Sequence, residues 1–171
     1  MYYPMSNEYS PYYEGYIKAV GNQDIIRKLK NQQNEIDDFL AEIPEEKYEY
    51  AYAEGKWTVK QLIGHLIDTE RVMAYRAMRI ARNDQTALPG FDQDLYVENL
   101  DLSKRTYMDL VDEFLLMRQA NLYFYKSLSE SDFRKKGTAS DNTISVGALL
   151  YIIAGHVEHH FNVLKQRYLN K

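Results

Sequence analysis

The chain contains no cysteine. Disulfide bonds, cysteine-ligated zinc and a protein thiol nucleophile are therefore excluded, and any thiol chemistry has to use an external thiol. Basic residues are not in excess either: 21 Lys and Arg stand against 25 Asp and Glu, for a formal net charge of −4. Nothing in that balance points to a nucleic-acid partner. No apolar run reaches the roughly 18 residues of a membrane span. The opening "MYYPMSNEYS" has neither the basic nor the apolar region of a signal peptide. The expectation is a cytoplasmic protein with a small-molecule substrate, no nucleic-acid partner and no membrane association.

What is present reads as helix. The 171 residues are 45% hydrophobic, which suits one domain spanning 1–171 with a sizeable core. The first twenty residues are rich in tyrosine (Tyr2, Tyr3, Tyr9, Tyr12, Tyr13, Tyr16). They read as an irregular segment, with room for a short helix, that packs amphipathic rings on the domain. A first long helix starts near Asp24, carries Ile25, Leu29, Ile36 and Leu40 at helical spacing, and ends before Pro44. The second starts at "WTVKQL", where Thr58 and Gln61 form a capping box and Trp57 and Leu62 a hydrophobic staple, and runs to about Arg82. The long link from Asn83 to Leu102 holds Pro89, Gly90 and room for a short helix capped by Asp92. A third helix runs from after Ser103 to about Ser129. "SESDFRKKGTASDNT" reads as a loop, and a fourth helix runs from a Ser145 cap to about Tyr168. Four helices of roughly 20 residues with few strand signals predict an all-α four-helix bundle. The long link leaves room for a crossover.

Histidine is scarce, yet three of the four lie within "YIIAGHVEHHFNVL". At 100° per residue, His160 lies about 40° and His156 about 80° from the centre of that helix's apolar stripe, while His159 lies about 140° away. His156 and His160 thus face inward at i, i+4, the spacing at which two imidazoles share one metal ion. The pair alone is a weak signal and also fits a buried, hydrogen-bonded histidine beside one at the boundary. His65, on the flank of the second helix's apolar face, reaches the pair if the two helices are neighbours. Three nitrogen ligands leave one coordination position open, which is the catalytic pattern rather than the structural one. Glu70 sits on the core side of the same helix. It suits either orientation of a ligand histidine and base work, or a buried salt bridge to an arginine such as Arg118. Gly64 and Gly155, each one residue before a histidine, suit close helix packing.

"KWTVKQLIGHLIDTER", followed about ninety residues on by "SVGALLYIIAGHVEHHFNVLKQRYL", resembles the DinB/YfiT-like superfamily of metalloenzymes from about Tyr16 to Leu169. The link "LPGFDQDLYVEN" is similar to that family's segment between its second and third long helices. The resemblance implies an up-down-down-up bundle and a divalent metal ion, zinc or nickel, held by His65, His156 and His160, with His159 outside the ligand set. It also implies a homodimer and, for some relatives, thiol-dependent S-transferase or isomerase activity with a low-molecular-weight thiol. Three functions remain open: a metal-dependent thiol transferase, a metal-dependent hydrolase, and a non-catalytic, dimeric, stress-related metal-binding protein.

Overall fold

The computed structural model describes residues 1–169. Two single 3₁₀ turns, Ser6–Glu8 and Pro11–Tyr13, lead into a short helix α1 (Glu14–Val20). Helices α2 (Ile25–Ala41) and α3 (Val59–Ala81) follow, then the short α4 (Gln93–Glu98), α5 (Tyr107–Lys126) and the single turn α6 (Glu130–Phe133). A two-stranded antiparallel hairpin, β1 (Lys136–Ala139) and β2 (Asn142–Ser145), precedes α7 (Val146–Val163), which passes into a π-helical turn over Leu164–Tyr168.

The expected caps form. Asp24 accepts from the Arg27 amide and Ser145 from the Ala148 amide. Thr58 accepts from the Gln61 amide at 3.2 Å, and the Gln61 side chain accepts in return from the Thr58 amide at 2.9 Å. Asp92 caps α4 through the Asp94 and Leu95 amides. Each cap supplies an acceptor to first-turn N–H groups that have no partner within the helix. The third long helix starts later than expected, at Tyr107, because Thr106 and Asp109 close a second capping box there. The expected loop before α7 is instead α6 and the hairpin. Its two-residue turn, Ser140–Asp141, has φ of 51° and 60°, which suits the twist of a tight hairpin.

Side-chain contacts give the helix directions. Along α2 and α7, Gln23 O accepts from Tyr151 OH, Ala154 O accepts from Gln32 Nε2, and the Phe39 ring meets Phe161, so these helices run parallel. Tyr107 OH donates to Leu40 O and Arg118 Nη1 to Gln32 Oε1, so α5 runs against α2. Trp57 O accepts from Tyr168 OH and His65 meets His156, so α3 runs against α7. The amino-terminal halves of α3 and α5 share one core cluster, with Leu62, Ile63, Tyr107 and Leu110. Their carboxy-terminal halves share the other, with Met73, Ala77, Leu122 and Tyr125. The bundle is therefore up-down-down-up, and the long link carries the chain back so that α3 and α5 run the same way.

The tyrosine-rich segment lies over the back of α7. Tyr2 OH is 2.8 Å from Ser145 Oγ, and Tyr151 OH donates to Tyr2 O. This cover explains why α7 is buried on every side from Val146 to Val157 rather than along one stripe. It needs Gly155: a methyl group there would collide with the Tyr16 carbonyl, so the close approach is to α1. Gly64 faces the Leu100 side chain of the link.

Candidate metal centre

The two core clusters are separated at mid-bundle by a polar layer. In it, α3 and α7 bring His65, His156 and His160 together, with one ligand nitrogen from each within 4.8 Å of the others. His65 Nε2 and His156 Nε2 are 3.0 Å apart, and His160 Nε2 is 3.1 Å from His156 Nε2. His65 and His156 are buried, His160 is half-buried and His159 is exposed, the division that the helical geometry predicts. Burial lowers the pKa of His65 to about 4 and that of His160 to about 3. It also holds His156 well below its ordinary value, with the neighbouring rings adding to the effect at His156 and His160. All three rings are therefore neutral near pH 7, with lone pairs available for a cation.

The donor set fits a divalent ion. Nitrogens 2.0–2.1 Å from one ion would lie about 3.0 Å apart at right-angle positions and about 3.3 Å apart at tetrahedral ones. The observed 3.0 and 3.1 Å match that range. Three neutral Nε2 atoms converging on one point cannot all be satisfied by sharing protons, whereas one cation satisfies all three. Imidazole suits zinc, nickel, copper and iron alike, so the ligands leave the metal's identity open.

Aromatic walls fix the rings. Trp57, whose backbone anchors the start of α3, also lies against His65 with ring centroids 4.7 Å apart. Tyr16 of α1 meets His156 and His159 edge-on at 5.5 Å. Thr69 Oγ1, one turn along α3, is 3.5 Å from His65 Nδ1. The His160 Nδ1 atom is buried and has no hydrogen-bond partner among the described residues.

Glu70 stands apart from the histidines. Of the two roles the sequence left open, the structure gives it the ion pair. Arg118 Nε donates to Glu70 Oε1 at 2.8 Å and Nη2 to Oε2 at 2.7 Å, and Asn121 Nδ2 donates to Oε1 at 3.2 Å. Both partners are buried. Gln32 extends the network: its Oε1 accepts from Arg118 and its Nε2 donates to Ala154 O, two residues before His156. All four long helices thus meet in one hydrogen-bonded layer beside the triad.

Two cavities flank the histidines. One of about 420 Å³ is lined by Tyr16, Thr69, Met73, Asp92, Ile152 and His156. The other, about 270 Å³, is lined by Trp57, Asp94, His159 and His160 among others. Asp92 and Asp94 thus both reach site walls, Asp92 while capping α4. No pattern in the sequence marked Tyr16 or Trp57 as neighbours of the site. Thr69 was missed as well, although its i+4 spacing from His65 on the same face is a signal for it.

The DinB superfamily family model matches residues 28–164. The chain belongs to the DinB superfamily. A protein of Oceanobacillus iheyensis described as "Putative metal-dependent hydrolase" is 25% identical over 144 residues, covering 82% of this chain and 81% of its own. A Bacillus licheniformis protein of the same description is 29% identical over 148 residues, covering 82% and 81%. YfiT from Bacillus subtilis, described as "a probable metal-dependent hydrolase with an unusual four-helix bundle topology", superposes with a TM-score of 0.74 at 18% identity. That match covers 97% of this chain and 93% of YfiT, and it speaks for the fold. No helix among the described residues is long and apolar enough to cross a membrane.

Proposed function

We propose that this DinB-superfamily protein is a metal-dependent hydrolase, with His65, His156 and His160 holding one divalent ion. The observation that carries the reading is the convergence of three neutral Nε2 atoms at the edge of a cavity large enough for a small molecule. A bound ion there supplies a Lewis acid and acidifies a water molecule toward neutral pH. The chain's own groups do the rest. Trp57 and Tyr16 hold the imidazoles in place. Met73, Ile152 and the tyrosines wall the substrate from bulk water. Asp92, whose Oδ1 accepts from the α4 cap amides, lines the cavity and has a second carboxylate oxygen that can accept a proton. Glu70 is unsuited to that work, because Arg118 and Asn121 occupy both its oxygens.

The hydrolase reading is favoured over thiol transfer by the descriptions of the relatives, which name hydrolases. The test is a panel of ester and amide substrates with untagged protein, in chelator and in Zn²⁺, Ni²⁺ or Mn²⁺, with and without a low-molecular-weight thiol. The expected result is metal-dependent cleavage without thiol, abolished in His156→Ala. Turnover that requires the thiol would replace this reading with a transferase. Retained metal without turnover on any substrate would favour a non-catalytic role.

A further inference from the structure

Arg76 is 2% exposed, and among the described residues it forms no ion pair. The other fully buried arginine, Arg118, is matched by Glu70. A buried guanidinium without a counter-ion is costly and calls for an anion from outside the chain. Its present partners are all neutral. Nη2 donates to Pro89 O at 2.6 Å and to Ser140 Oγ at 3.1 Å, Nη1 reaches the Met73 sulfur at 3.7 Å, the Tyr13 hydroxyl is a further hydrogen-bond partner, and the guanidinium lies over the Phe91 ring at 5.7 Å. The two acceptor residues are held in place by backbone pairing between the link and the hairpin: Leu88 N donates to Thr138 O, and Ser140 N to Leu88 O.

The surroundings are those of an anion site. Arg76 lines a cavity of about 170 Å³ whose other walls include Ser10, Tyr13, Ser140, Asn142 and Thr143, all of which can donate a hydrogen bond. Tyr12 and Tyr13 also line the 420 Å³ cavity at His156, so the two spaces share a wall. On α3, His65, Thr69, Met73 and Arg76 follow one another at spacings of four, four and three, along one face. Eleven residues of helix rise about 16 Å. Arg76 reaches back one turn to Met73, which leaves on the order of 10 Å between guanidinium and triad.

We propose that Arg76 and the hydroxyls around it bind the anionic group, carboxylate or phosphate, of a substrate whose cleavable bond lies at the histidine triad. The inference deepens the hydrolase reading, and the substrate class is then a small ester or amide with an acidic end, its apolar middle passing Met73 and Ile152. A planar fork of donors suits either oxyanion, since both accept two parallel hydrogen bonds.

Anion binding is read first without metal or turnover. Chelator-treated protein is melted in buffers of equal ionic strength containing chloride, inorganic phosphate or glutarate. Phosphate or glutarate is expected to raise the Tm above that in chloride. The rise should vanish in Arg76→Met and shrink in Ser140→Ala, which keeps the guanidinium and serves if Arg76→Met does not fold. The response to phosphate against glutarate tells which oxyanion is preferred. In the metal-loaded enzyme, kcat/KM for an acidic ester is expected to exceed that for its neutral methyl ester at least tenfold, and Arg76→Met should remove the preference. Equal melting in all three salts would overturn the anion site whether or not the protein hydrolyses anything. Metal-dependent hydrolysis of acidic and neutral esters at equal rates would overturn the substrate assignment and leave the hydrolase reading standing.

Discussion

Replacing Arg118 by Met removes one half of the buried ion pair beside the triad. The Glu70 carboxylate would then be left 2% exposed with only Asn121 as a donor. Gln32 Oε1 would lose its partner as well. Breaking one side of a buried pair typically costs about 3–5 kcal/mol. At about 2–4 °C per kcal/mol for a chain of this size, the Tm should fall by roughly 6–20 °C. The double variant Glu70→Gln/Arg118→Met should lose less than the sum of the two single variants, since it leaves no unpaired charge. The assay is urea denaturation followed by circular dichroism, with the four proteins forming a double-mutant cycle. Because Gln32 also holds Ala154 O, the single variant is expected to bind metal more weakly as His156 loses its support. A loss below about 1 kcal/mol for Arg118→Met, which is the size expected of a solvent-screened pair, would refute the reasoning.

Gly155→Ala should destabilise the fold by about 1–3 kcal/mol, because α1 must move away from α7. Urea midpoints check this, and Gly15→Ala is a control at a position with open space. In chelator-treated protein, stability should be insensitive to the histidines above pH 6.5 and should fall as the pH drops toward 4. The folded pKa of His65 is about 4, so the unfolded chain takes up its proton first as the pH falls. The slope is about 1.4 kcal/mol per pH unit for each such ring. Urea titrations between pH 4.5 and 7.5 measure it, His65→Asn should reduce it by one ring's share, and a flat wild-type profile would contradict the burial argument.

Much of this protein is legible in its sequence because its helices are punctuated by side chains that act locally. Thr58 with Gln61, Asp92 and Ser145 cap where their neighbours in sequence say they must. The inward pair His156 and His160 follows from helical periodicity alone. His65 needed one further fact, that α3 neighbours α7, which comes from topology. What stayed hidden depends on contacts distant in sequence. The all-round burial of α7 is produced by Tyr2, Tyr3 and Tyr16, more than 130 residues away. The hairpin escaped notice because its strands are four residues long and its turn uses Ser140 and Asp141 rather than an Asn-Gly pair. Glu70 was ambiguous between two partners until the packing of α5 set Arg118 against it. Arg76 showed no sign at all, because an arginine on a helix is ordinarily a solvated one.

The most direct test of the central claim is the elemental analysis of untagged protein purified without added chelator, repeated on His65→Ala, His156→Ala and His160→Ala. The account predicts close to one divalent ion per chain in the wild type and a loss of most of it in each variant, with His159→Ala retaining the full amount. Wild-type protein that neither carries a divalent ion nor takes one up on dialysis, or variants that hold as much as the wild type, would contradict it.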